Sequence, residues 1–187
     1  MPAEREAIVI GASAGAVEAL TSLLPALRPG FRLPIIVVVH LPADRRSAMA
    51  ELFRAKCALE VREAEDKDPV AAGTIYFAPP DYHLLVEADR TFSLSCDAPV
   101  LFSRPSIDVL FESAADAYGP KLVGIVLTGA NADGARGLRA IIGEGGAGIV
   151  QAPSSAFASA MPEAALQMSP TARPMTLQAI AAYLEEI

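Results

Sequence analysis

The chain has 187 residues, 52% of them hydrophobic, and a formal net charge of −7 from 15 basic and 22 acidic side chains. This length predicts one domain (1–187) able to bury a sizeable core, and the acidic balance excludes nucleic acid as the expected partner. No apolar run approaches the roughly 20 residues of a membrane span, and Glu4, Arg5 and Glu6 interrupt the N-terminus where a secretory leader would be apolar, so the expectation is a cytoplasmic chain with no direct membrane insertion.

In chain order, Ala7 to Ile10 predicts a short buried strand. Ala16, Leu20, Leu23, Leu24 and Leu27 follow at helical spacing, and Pro29-Gly30 ends that helix. Pro34 to His40 is a β-branched run without alternation, the pattern of a parallel strand covered on both faces. Ser47 predicts the cap of a helix reaching Cys57. Thr74 to Ala78 predicts a strand, and His83 to Val86 with Thr91 to Ser95 a hairpin. A helix follows Pro105-Ser106, with Ile107, Leu110, Phe111, Ala114, Ala115 and Tyr118 on one face and Gly119-Pro120 at its end. Leu122 to Thr128 predicts a further buried strand, Gly134 to Ile142 a helix, Ala147 to Gln151 a strand, and Met161 to Met168 and Thr176 to Glu185 two closing helices. The alternation predicts an α/β fold: a doubly wound, mostly parallel sheet with helices on both faces and a small antiparallel hairpin.

In such folds ligands bind beyond the carboxyl ends of the strands. Ser13, His40 and Asp133 each fall at or just past the end of a separate apolar strand. Ser13 sits in Gly11-Ala12-Ser13-Ala14-Gly15, which matches the G-x-S-x-G elbow that lifts a nucleophilic serine out of a sheet. A serine hydroxyl needs a base, usually histidine, oriented by a carboxylate. The chain has two histidines. By position His40 is the better base, and His83 is a rim or structural residue. Asp133 reads equally as the orienting carboxylate or as a helix N-cap. Asp108 and Asp116 read as capping or solvated carboxylates, and Arg104, Arg136 and Arg139 as surface charges, with Arg136 close enough in sequence to Asp133 to reach a site rim. Cys57 and Cys96 read as reduced thiols.

Other chemistries fit less well. The elbow lacks the second glycine of G-x-G-x-x-G, His40 stands where a ribose-binding acid would end the second strand, and no P-loop occurs. Metal hydrolysis is disfavoured because two distant histidines without H-E-x-x-H give poor ligand spacing. No cofactor and no metal are expected. An ordinary α/β-hydrolase places its elbow after several strands and its triad in the order Ser, acid, His. Here the serine follows the first strand and the order is Ser13, His40, Asp133.

Several separate motifs, in order, resemble the catalytic domain of the chemotaxis protein-glutamate methylesterases, the CheB family. They are Val9-Ile10-Gly11-Ala12-Ser13-Ala14-Gly15, Val38-Val39-His40-Leu41-Pro42, Tyr76-Phe77-Ala78-Pro79-Pro80-Asp81-Tyr82-His83, Arg104-Pro105-Ser106-Ile107-Asp108, Leu127-Thr128-Gly129 with Asp133-Gly134-Ala135-Arg136-Gly137, and Ala160-Met161-Pro162. The resemblance implies a serine hydrolase that demethylates glutamate methyl esters on chemoreceptor cytoplasmic helices and deamidates receptor glutamines. It implies Ser13 as nucleophile, His40 as base, Asp133 as orienting carboxylate, and backbone at Ala14 and Ala130 around the oxyanion. The family pattern differs at Ala14, Ala16, Val39, Leu41, Ala130 and Asn131. Its receiver domain has no counterpart in the 187 residues, so the expected partners are methyl-accepting chemoreceptors and a separate receiver protein. The alternative is a non-catalytic chemosensory adaptor on the same fold.

Overall fold

Apolar β-branched runs form the centre of the molecule because their side chains fill both faces of a parallel sheet without leaving a polar group to solvate. The computed structural model describes residues 4–41 and 48–187. The strands are β1 (Ala7–Ala12), β2 (Ile35–Val39), β3 (Glu60–Glu63), β4 (Thr74–Phe77), β5 (His83–Val86), β6 (Phe92–Ser95), β7 (Leu122–Val126), β8 (Ala147–Gln151) and β9 (Arg173–Met175). The α-helices are α1 (Ala16–Leu23), α2 (Met49–Arg54), α3 (Ile107–Tyr118), α4 (Ala135–Gly143), α5 (Ala160–Met168) and α6 (Leu177–Glu186). Seven strands form one sheet in the order β3-β4-β2-β1-β7-β8-β9, with every pairing parallel, and β5 and β6 form a separate antiparallel pair. The expected fold class is observed.

Two apolar layers sandwich the sheet. One contains Leu20 and Leu23 of α1 with Ile180 and Leu184 of α6. The other contains Leu110 and Phe111 of α3, Leu138 of α4 and Met161 of α5. Every residue of β1, β2 and β7 is buried, as their unbroken apolar runs predict.

Two strands escape the sequence reading. β3 carries three exposed residues around Val61, and β9 contains Pro174. Both are edge strands, where charge and proline are tolerated because one side makes no ladder. The helix after β1 is shorter than expected: α1 stops at Leu23, and Pro25 lies within a 3-10 turn over Leu24–Ala26. The Ser47 cap lies outside the described residues, and α2 ends at Arg54. Among the described residues, no helix is long and apolar enough to cross a membrane.

Candidate active site

The sheet order reverses around β1 and β7. From β1 the chain winds toward β2, and from β7 toward β8. The loops that leave the carboxyl ends of these two neighbours diverge to opposite faces and open a crevice between them.

Ser13 stands at that crevice. Its N–H donates to the Thr128 carbonyl at 2.9 Å, and its carbonyl accepts from Ala16 N–H at 2.9 Å. The turn closes through Gly15, whose φ of 83° is left-handed and whose missing Cβ would lie 2.7 Å from the Phe157 Cβ. A side chain there would be strained twice over. The Thr128 hydroxyl donates to the Ala14 carbonyl at 2.8 Å and accepts from Ala158 N–H at 2.9 Å. Thr128 N–H in turn donates to the Gln151 Oε1 at 3.0 Å. The elbow is therefore tied to β7, to the end of β8 and to the loop before α5. Among the described residues, the backbone N–H groups of Ala14 and Ala130 are not spent on a hydrogen bond.

His40 follows β2 as Ser13 follows β1. Ala12 pairs with Val39, and His40 N–H donates to the Ala12 carbonyl at 3.1 Å. The two side chains thus leave adjacent parallel strands, which run about 4.8 Å apart, one step beyond the last registered pair. The His40 Nε2 lies 2.7 Å from the Asp133 Oδ2. Against an ionised carboxylate, Nε2 carries the proton, and Nδ1 is left as the free acceptor.

Asp133 is fully buried and accepts four hydrogen bonds. Oδ2 receives His40 Nε2 and the Ile107 N–H, both at 2.7 Å. Oδ1 receives the Ser106 hydroxyl and the Asp108 N–H, both at 2.9 Å. The carboxylate therefore sits on the N-terminus of α3, where exposed N–H groups and the helix dipole favour an anion. Burial alone would push its carboxyl up. The His40 hydrogen bond and the N–H groups of Asp108 and Ile107 outweigh burial and hold it below the ordinary aspartate value.

Asp108 makes the reciprocal contact. Its Oδ1 accepts from Gly134 N–H at 3.0 Å and Gly137 N–H at 2.7 Å, at the N-terminus of α4. Burial raises its carboxyl to about 6, the Asp133 charge adds to the rise, and the Gly137 and Gly134 N–H groups and Arg136 offset it only in part.

Beside His40 lies a cavity of about 200 Å³, lined by Leu41, Asp81, Phe102, Arg104 and Pro105 among others. Arg104 donates to the Asp81 Oδ1 through Nη2 at 2.7 Å and to the Cys96 carbonyl through Nη1 at 2.9 Å. It braces one wall of the cavity and is more than the surface charge the sequence suggests.

The model of the family described as CheB methylesterase matches residues 8–184. The chain belongs to the CheB methylesterase family. A Leptospira interrogans protein named as a protein-glutamate methylesterase/protein-glutamine glutaminase is 45% identical over 176 residues, covering 94% of this chain and 91% of that one. A Rhodospirillum rubrum protein named for the same two activities is 37% identical over 95% of this chain, but this chain spans only 47% of it. The crystal structure of the Thermotoga maritima CheB methylesterase catalytic domain superposes with a TM-score of 0.93 at 29% identity, covering 98% of this chain and 99% of that one.

In this CheB-family chain the crevice holds the His40–Asp133 pair, with Ser13 at the end of the strand next to that of His40 and, among the described residues, no hydrogen bond from the Ser13 side chain to His40. Of the two residues expected at the rim, His83 is enclosed and Arg136 is paired with a residue of α3. His83 is buried; its Nδ1 accepts from Ser106 N–H at 3.1 Å and its Nε2 donates to the Ala98 carbonyl at 3.0 Å. Both ring nitrogens are used holding the loop in front of α3. Arg136 is exposed on α4, and its Nε donates to the Glu112 Oε1 at 2.7 Å. Sequence reading missed Ser106, Thr128 and Gln151 as groups that position the site. Ser106 carried a signal only as a helix cap, which it also is, accepting from Val109 N–H.

Proposed function

We propose that this CheB-family chain is a serine hydrolase that demethylates protein glutamyl methyl esters, with Ser13, His40 and Asp133 as its working residues. The observation that carries the reading is the 2.7 Å contact between His40 and a buried, fully hydrogen-bonded Asp133, at the strand end beside the Ser13 elbow. The Ser13 oxygen attacks the ester carbonyl while the His40 Nδ1 takes its proton. The carbonyl oxygen gathers negative charge against the N–H groups of Ala14 and Ala130, close to the N-terminus of α1. Collapse breaks the C–O bond, and His40 returns the proton to the departing methoxide, releasing methanol. Water, deprotonated by His40, then attacks the acyl-serine and restores Ser13 with a free glutamate. With a glutamine side chain the same cycle releases ammonia. Asp133 keeps the imidazole in the required tautomer and balances the imidazolium.

The proposed partners are methyl-accepting chemoreceptors and a separate receiver protein, in the cytoplasm, with residues 1–187 acting as one catalytic domain. Methanol release from a methylated receptor tests the assignment. Ser13→Ala should lower it by on the order of 10⁴- to 10⁶-fold, and a fluorophosphonate probe should label wild type but not the variant. Wild-type rates in Ser13→Ala, or labelling independent of Ser13, would overturn Ser13 as the nucleophile, whereas no methanol release and no labelling of the wild-type chain would leave the adaptor reading in its place.

A further inference from the structure

The cavity beside His40, about 200 Å³, has room for one substrate side chain. It is smaller than pockets that enclose a whole ligand, which run from about 300 Å³ upward. A protein substrate must therefore be held mostly outside it.

Next to the cavity the chain makes a two-residue hairpin turn. Val100 N–H donates to the Ser103 carbonyl at 3.0 Å, and Ser103 N–H returns to the Val100 carbonyl at 2.9 Å. The central residues, Leu101 and Phe102, have φ of 47° and 65°. Two successive left-handed residues are the mark of a type I′ turn, whose preferred sequence is Asn-Gly. Here the positions hold a leucine and a phenylalanine, residue types that resist that conformation. The Phe102 ring gains nothing by being there in the free protein: it is 103% exposed, while Leu101 is 48% exposed. Arg104 ties the loop down through Asp81 and the carbonyls of Cys96 and Asp97. Beside the elbow, Phe157 is 84% exposed, next to Gly15. Strain kept at a site edge, with apolar side chains displayed to water, points from the outlier to a binding role.

We propose that Leu101 and Phe102, together with Phe157 beside the elbow, are specificity-determining anchors that grip apolar side chains flanking the glutamyl ester of the protein substrate. This rests on the reading of the site as a protein methylesterase. The turn sacrifices local stability to present the anchors, so the sequence the turn prefers should be more stable and less selective.

The test compares wild type with Leu101→Asn/Phe102→Gly and, separately, Phe157→Ala. Each is assayed on a methylated receptor fragment and on p-nitrophenyl acetate, which carries no flanking side chains to be gripped. The expected result is a fall of tenfold or more in the ratio of kcat/KM for protein over small ester, carried by KM for the protein. The double variant should also melt about 2–4 °C higher as the turn relaxes. A ratio within twofold of wild type, or a lower melting temperature for the double variant, overturns the proposal. A wild-type protein that hydrolyses the small ester but leaves the methylated receptor untouched overturns the methylesterase reading and the anchors together. Equal demethylation with and without the anchors overturns the anchors alone.

Discussion

Two aspartates 25 positions apart exchange helix ends, and their opposite titration is the sharpest consequence of the site's construction. Asp133 caps α3 and is held below the ordinary value, so its contribution to stability is present above about pH 4 and is lost as pH falls. Asp108 caps α4 with its carboxyl raised from 3.8 to about 6. The sign is reversed: its favourable contribution is full below the unfolded value and is lost as pH rises through about 6. At about 1.4 kcal/mol per unit, ionising it costs on the order of 3 kcal/mol. Both N–H donors reach a single oxygen of Asp108, Oδ1, and an asparagine can offer the same acceptor without a charge. Asp108→Asn should therefore raise the free energy of unfolding by roughly 1–3 kcal/mol at pH 7.5, with the gain vanishing toward pH 4. Urea unfolding at several pH values measures it, and a difference that does not change with pH would refute the assignment. This pair was only half visible in the sequence. Each aspartate stands near a helix start, so capping was legible, but which helix each one caps depends on contacts across 25 to 29 positions.

At the scale of elements, the site depends on how closely α3 approaches β1. The Cβ absent from Gly11 would lie 2.3 Å from the Ile107 Cγ2, and Ile107 N–H is one of the donors that hold Asp133. Gly11→Ala should push the start of α3 away from the sheet. The expected costs are about 1–3 kcal/mol of stability and a loss of turnover as Asp133 shifts under His40. Pairing it with Ile107→Ala removes the obstructing atoms, so the double variant should be less destabilised than the sum of the singles. Strict additivity in a denaturation cycle would show that the contact is not the cause. The elements themselves were legible wherever burial writes an unbroken apolar run. β7 ends at Val126, two residues before the expected Thr128, where the Thr128 N–H goes to the Gln151 side chain and not to a strand carbonyl. β3 and β9 were illegible because an edge strand needs little apolar surface, and the three exposed residues of β3 and Pro174 in β9 look like loop. The turn at Leu101-Phe102 was illegible for the opposite reason: its residues contradict its conformation.

Across the whole molecule, the supports of Asp133 and the α6 layer lie on different faces of the sheet. The sheet has one apolar layer with α1 and α6 and another with α3, α4 and α5. Asp133, Ser106 and the backbone that holds them belong to the α3–α4 side, while α6 closes the opposite face. The fold superposes at a TM-score of 0.93 with 29% identity. A packed layer accepts many apolar sequences, while the strand-end geometry is set by register. The division into two layers yields a prediction that separates them. Ile180 of α6 is fully buried, so Ile180→Ala should cost about 2–5 kcal/mol through lost burial and a residual cavity. For a chain of this size each kcal/mol moves the melting temperature by about 2–4 °C, so thermal unfolding will detect it easily. At a temperature well below the lowered midpoint the variant remains folded, and its Ser13, His40 and Asp133 keep their supports. Its kcat on p-nitrophenyl acetate should then stay within about twofold of wild type. A fall in kcat at a temperature where circular dichroism shows the variant fully folded would mean that the α6 layer shapes the site through the sheet, and the two faces could not be treated as independent.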